Sequence, residues 1–260
     1  MFTAQLHGKL TSRVRHMEDL LTSNVFGMFS YLEPHQGLLQ FVETARSLGG
    51  VPLPRLAEVD TARFEFWRWL EKDGVCAQPD VLIEMKMTNG DRQVLLVESK
   101  YRSGKSSVVT TEETMLTDQL AREMFLLRAY AKESGKDYAL LYVTAHTKMP
   151  KNEIHEAIDE LEREEAGLPD GDKFYWTSWR ELPRVLAPVI PSLDVLGGAM
   201  LSDLIIIIQR MELVYFSGIQ SKGRWLGSDN WRFRKTPVQF KWQLDFETNY
   251  SFGRQGHEFT

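Results

Sequence analysis

A second cysteine is missing from this chain of 260 residues. With Cys76 alone no intramolecular disulfide can form, and a reducing cytoplasm is the expected location. Long apolar runs are missing too. Stretches such as Val94-Leu95-Leu96-Val97 and Leu204-Ile205-Ile206-Ile207-Ile208 fall far short of the about 20 residues needed to cross a bilayer, so no membrane partner is expected. Residues 1–10 have neither the apolar stretch nor the small-residue cleavage site of a secretory leader, and none is expected. Positive charge is not in excess: 31 Lys and Arg stand against 36 Asp and Glu, a formal charge of -5. That excludes a uniformly attractive surface for nucleic acid and leaves local arrangement open. Residues 201–260, with eight basic and six acidic side chains, are the relatively basic end. The histidines include no pair at zinc-site spacing with cysteine or carboxylate, so a structural zinc is not expected.

What the chain does contain is hydrophobic periodicity of both kinds. Residues 14–47 read as one or two helices, with Met17, Leu20 and Leu21 at helical spacing and an interruption around Glu33-Pro34-His35-Gln36-Gly37. A second helix is expected over 38–48, ending at Gly49-Gly50. Residues 63–70, 78–87 and 92–100 read as strands, and Asn89-Gly90 between the last two is a hairpin signal. Residues 112–134 have Leu116, Leu120, Met124 and Leu127 at helical spacing, with Gly135 as a stop. A buried strand over 138–145, a charged helix over 151–165, a short strand at 174–177 and a helix over 179–186 capped by Ser178 complete the series. Strands alternating with helices at this spacing predict an α/β layer architecture around a mixed sheet. The expected organisation is one domain over 1–190 and a small C-terminal subdomain over 191–260. In the latter, 193–210 reads as a helix and 213–216, 231–234 and 238–242 as short strands.

The chemistry is concentrated in the central hairpin. Glu98 and Lys100 end an otherwise apolar strand, and the two-residue period puts both side chains on one face. A lone Glu-x-Lys is ordinarily an ion pair where a strand emerges into solvent. Here Pro79-Asp80 opens the strand expected to pair with it, and a helix carrying Gln119 follows. An Asp and a Glu converging from neighbouring strands suit Mg2+ or Mn2+, which prefer hard oxygen ligands. Lys100 beside them could orient or deprotonate a water, or stabilise charge on a phosphorane. The set is suited to phosphodiester hydrolysis. It depends on register. A strict two-residue turn at Asn89-Gly90 places Asp80 opposite Ser99, on the wrong face; a three-residue loop Thr88-Asn89-Gly90 places it opposite Glu98.

These residues, Pro79-Asp80 and Glu98-Ser99-Lys100, resemble the motif of the PD-(D/E)xK, restriction-endonuclease-like nucleases. The resemblance implies an αβββαβ core, Asp80 and Glu98 as ligands of Mg2+ (or Mn2+), Lys100 assisting the nucleophile, and endonuclease activity on DNA. It also implies an acidic residue from the first helix, for which Glu18 is the choice over Glu43 and Glu65, as a third metal ligand. A Gln on the following helix is matched by Gln119, though the Tyr that completes that pattern is Glu123 here. The run from Trp176 to Leu182 is similar to the end of restriction-like domains in bacterial defence proteins. A homodimer, or a subunit of a defence or DNA-processing assembly, is the partner state this implies, with a catalytically silent nuclease-fold binding module as the alternative.

Basic residues outside the motif extend the expected nucleic-acid surface. Ser103-Gly104-Lys105-Ser106 ends like a phosphate-binding loop, but Ser99 stands where the first glycine is required, so nucleotide binding is rejected. Arg102 and Lys105 are instead read as a loop beside the site that either touches a phosphate or is simply solvated. Arg232, Arg234 and Lys235, interleaved with Trp231 and Phe233, fit either a nucleic-acid contact or a half-exposed strand. Cys76 has no base beside it and is expected to be a small buried residue in a turn.

Overall fold

The apolar run Val94–Val97 lies in a strand, Arg92–Lys100, whose bounds are those read from the sequence and which is buried from Gln93 onward. The computed structural model describes residues 18–101, 116–165 and 171–215. Within them the strands are β1 (Arg46–Ser47), β2 (Val59–Phe66), β3 (Leu70–Lys72), β4 (Val75–Ala77), β5 (Val81–Met87), β6 (Arg92–Lys100), β7 (Asp137–Thr144) and β8 (Phe174–Ser178). The helices are α1 (Glu18–Phe29), α2 (Leu38–Val42), α3 (Gln119–Ser134), α4 (Lys151–Glu165), α5 (Leu182–Leu186) and α6 (Val195–Arg210). A mixed sheet runs in the order β1-β8-β7-β6-β5-β2, and β3 and β4 form a separate hairpin. β2, β5 and β6 are antiparallel neighbours, β6, β7 and β8 run parallel, and β1 closes the far edge antiparallel to β8. The expected α/β class with a mixed central sheet is what the chain adopts. No helix among the described residues is long and apolar enough to cross a membrane.

Alternation along β5 and β6 builds a core on each face of the sheet. Val81, Ile83, Met85, Leu95 and Val97 pack with Leu21, Val25, Phe26 and Phe29 of α1 and with α5 and α6. Leu82, Val94 and Leu96 pack on the other face with Leu120, Met124 and Leu127 of α3 and with Ile154, Ala157 and Leu161 of α4.

Several elements are displaced from their sequence reading, each for a local reason. The helix expected over 38–48 stops at Val42, because the Thr44 hydroxyl turns back to the carbonyl of Phe41 and across to Thr177. Arg46 and Ser47 then pair with Trp176 and Tyr175 as an edge strand. The strand expected over 63–70 ends at Phe66, where Trp67 takes a left-handed φ of 50°. α3 begins at Gln119, not 112, with Asp118 as its cap, accepting from the amide of Ala121. Cys76 is half-buried within β4, not enclosed in a turn. Helix α6, which the sequence reading put in a C-terminal subdomain from 191, packs Leu201, Leu204, Ile207 and Ile208 into the α1 side of the core. Leu213 is buried there too, in irregular chain and not in the strand expected at that point. The strands expected at 231–234 and 238–242 lie outside the described residues.

Two glycines give opposite expectations. A methyl group on Gly37 would lie 2.8 Å and 2.9 Å from ring carbons of Phe29, which is held by Phe26 and Phe41. Gly37→Ala should cost about 1–3 kcal/mol by overpacking. Gly27, inside α1, has nothing within 4 Å of the same position. Gly27→Ala should gain about 0.5–1 kcal/mol from helix propensity. Urea denaturation midpoints of the two variants check both signs.

Candidate active site

The hairpin joining β5 and β6 decides which residues meet. Val81 pairs with Val97 and Lys86 with Arg92, a register reached by the three-residue loop Thr88-Asn89-Gly90. The Met87 amide donates to the Asp91 carbonyl at 2.8 Å, the Gly90 amide to the Met87 carbonyl at 2.9 Å, and Gly90 has a φ of 91°. Only glycine takes that conformation without strain. Continued one pair past Val81, where β5 begins, the register would set Asp80 against Glu98; the Asp80 carboxylate itself is bonded to Ser99.

Glu98 Oε1 accepts from Lys100 Nζ at 2.6 Å and from Gln119 Nε2 at 2.5 Å. Lys100 Nζ also reaches Glu18 Oε1 at 3.1 Å, while Glu18 Oε2 accepts from the amide of Tyr101 at 2.9 Å. The first turn of α1 is thereby tied to the end of β6. Asp80 Oδ2 accepts from the Ser99 amide at 2.9 Å and from its hydroxyl at 2.6 Å. Ser99, on the α1 face of the sheet, lies 2.5 Å from the hydroxyl of Thr22. Gln119 Nε2 donates to Glu123 Oε1 as well, at 3.0 Å, and Glu123 Oε2 is buried without a hydrogen-bond partner.

Charge in this cluster is strained by burial. Desolvation, and then the charge of Asp80, push the Glu98 carboxyl up to about 7. Burial likewise raises Asp80 in spite of its bonds to Ser99. Burial, followed by the charge of Glu98, raises Glu123 well above the ordinary carboxylate range. Burial alone would lower Lys100, but Glu98 and Glu18 outweigh it and keep the ammonium protonated. Acidic oxygens that repel one another at the end of a buried strand are a setting that a hard cation relieves. Among the described residues no group of three or more His, Cys, Asp or Glu is arranged as a metal cluster. The donor set still fits Mg2+, which commonly takes one or two carboxylates and keeps several waters.

Of the residues singled out in the sequence, Asp80, Glu98, Lys100, Gln119 and Glu18 come together here. Glu43 is exposed just after α2. Glu65 is paired with Arg63 and Arg68. Arg102, Lys105, Arg232, Arg234 and Lys235 lie outside the described residues. Sequence reasoning met Glu123 in the place of the motif's Tyr without giving it a role, and gave none to Ser99 or Thr22. A signal existed for Glu123, four residues after Gln119 and so on the same face of α3; for Ser99 and Thr22 there was none.

No family model, curated protein or solved structure matches this chain.

Proposed function

We propose that the protein is a metal-dependent nuclease of the PD-(D/E)xK class, an endonuclease that hydrolyses phosphodiester bonds of DNA. The observation that carries this reading is the meeting of Glu18, Asp80, Glu98 and Lys100 at the carboxyl end of β6, drawn from three separate elements. With α2, the edge strand β1 and the β3–β4 hairpin set aside as insertions, the order α1, β2, β5, β6, α3, β7 is compatible with the αβββαβ succession the resemblance implies. Asp80 and Glu98 would hold Mg2+ or Mn2+, which when bound supplies Lewis-acid polarisation of a phosphoryl oxygen and an acidified water. Gln119, whose amide also donates to Glu123, orients the Glu98 carboxylate, and Ser99 orients Asp80. Lys100 is the residue whose role the geometry refines. An ammonium kept protonated by two carboxylates is a poor base and a good electrostatic partner, so Lys100 stabilises charge developing on the phosphorane oxygens. Glu18 fixes the position of that ammonium.

Incubation of the full chain with supercoiled, linear and single-stranded DNA is expected to give nicked or cut products from at least one of them in Mg2+ or Mn2+ and none in EDTA. Cleavage that persists at full rate in EDTA, or that never appears with any divalent ion, removes the reading.

A further inference from the structure

Beside Asp80 the chain exposes the indole of Trp67 and, two residues on, that of Trp69, whose Nε1 donates to Glu71. Trp67 is 41% and Trp69 59% exposed, whereas Trp179 is fully buried. The Trp67 amide donates to the Asp80 carbonyl at 3.1 Å, which makes Trp67 the cross-strand neighbour of Asp80 at the open edge of the sheet. One to two strand spacings, about 5 to 10 Å, separate it from the Asp80 and Glu98 positions. That distance is two or three steps of about 3.4 Å along a stacked nucleic-acid strand.

The backbone here is held in an unfavourable shape. Trp67 has a φ of 50°, a left-handed conformation that a bulky side chain rarely adopts. The surroundings impose it: Gln78 Nε2 donates to the Trp67 carbonyl at 2.7 Å, and the Phe66 ring lies 5.6 Å from the indole. Arg68 pins the segment from the other side, bonded to Glu65 and placed 4.9 Å over the ring of Tyr130. A large aromatic held in a position better suited to asparagine or glycine, exposed and beside Asp80, is the kind of strained residue that clusters at functional sites.

We infer that Trp67 and Trp69 form a stacking platform for an unpaired nucleobase of the strand cleaved at Asp80, Glu98 and Lys100; this rests on the nuclease reading and adds the substrate class. Paired bases offer a protein surface only their edges, while every unpaired base has a face on which an indole can stack. The preferred substrate is therefore single-stranded, or a duplex with an overhang, flap or mismatch at the cut.

The test is binding in Mg2+ by the full chain carrying Asp80→Asn, which keeps the Ser99 bonds and stops cleavage. A fluorescein-labelled single-stranded oligonucleotide, its duplex, and the same strand with abasic positions serve as probes. Adding Trp67→Asn and Trp69→Ala is expected to weaken single-strand binding about 10- to 100-fold and leave the duplex unchanged. The abasic strand should bind the Asp80→Asn protein as weakly as the intact strand binds the triple variant. Because asparagine tolerates the left-handed backbone, the triple variant should unfold no earlier than its parent, a result a purely structural tryptophan would not give. Equal single-strand affinity in the two proteins overturns the platform, as does an equal loss on duplex. Loss of self-association with nucleic-acid binding intact would make the patch a protein interface instead. Binding of duplex alone by the parent overturns the platform and leaves the nuclease standing, while binding of neither probe removes both.

Discussion

Glu98→Gln is expected to lower divalent-ion-dependent cleavage by at least about 10²-fold while leaving the protein as stable as before or more so. The amide keeps an oxygen for Lys100 and Gln119, and it removes a charge that burial and Asp80 both oppose. Asp80→Asn should behave alike, since its remaining oxygen can accept from Ser99. Lys100→Ala separates activity from stability differently. Its loss should slow cleavage about 10²- to 10³-fold. It should also destabilise the fold by up to about 3–5 kcal/mol, because it leaves a buried carboxylate without its cation. The Lys100 and Glu98 side chains are 8% and 3% exposed. Initial rates on DNA, read beside denaturation midpoints, distinguish the three variants. A folded Glu98→Gln protein cutting at the wild-type rate would falsify the assignment of the site.

Metal-free protein is expected to lose stability as pH rises from about 5 to 8, and added Mg2+ or Mn2+ to restore it. The sign follows from the carboxyls whose folded values are raised, Glu98, Glu123 and Asp80. Below the ordinary carboxylate range both folded and unfolded chains are protonated at these groups, and their contribution is complete. Above it the unfolded chain releases protons that the folded chain retains, so stability drops until the folded values are passed, near pH 7 for Glu98. Glu84 and Glu160 run the other way: their carboxyls are lowered by Lys136 and Tyr130, and by the amides of Thr117 and Asp118. Their contribution is present at neutral pH and lost only in acid. A cation bound at about 100 times its dissociation constant adds about 2.7 kcal/mol. For a chain of this size that is roughly 5 to 10 °C in melting temperature. The rise should be larger at pH 8 than at pH 5.5, where protons compete, and absent from a protein carrying both Asp80→Asn and Glu98→Gln. A melting temperature that ignores both pH and metal would show that these carboxylates do not form a cation site.

Much of this arrangement was legible because it is local. The two-residue period of β6 is enough to put Glu98 and Lys100 on one face, and the apolar run between Gln93 and Glu98 marks a strand covered on both sides. The helical spacing of Leu120, Met124 and Leu127, with Gly135 in a left-handed C-cap, is enough to mark α3 and put Gln119 on it, while the start at Gln119 came only from the structure. Such signals reach only a few residues along the chain.

The tertiary structure decided what those signals left open. Asn89-Gly90 is compatible with two registers that differ by one residue, and only the pairing of the whole hairpin selects the one with Val81 opposite Val97. Three glutamates could have come from the N-terminal region. Glu18 is the one that meets Lys100, across 82 positions of sequence, because α1 packs its apolar face on β5 and β6. Glu123 becomes a neighbour of Glu98 only when α3 docks on the sheet, and α6 joins the core only when Leu201, Leu204 and Ile208 find the face beside α1. Periodicity along a chain specifies which side of an element is apolar; which side chains then meet depends on how the elements pack, and that is settled by contacts between residues far apart in sequence.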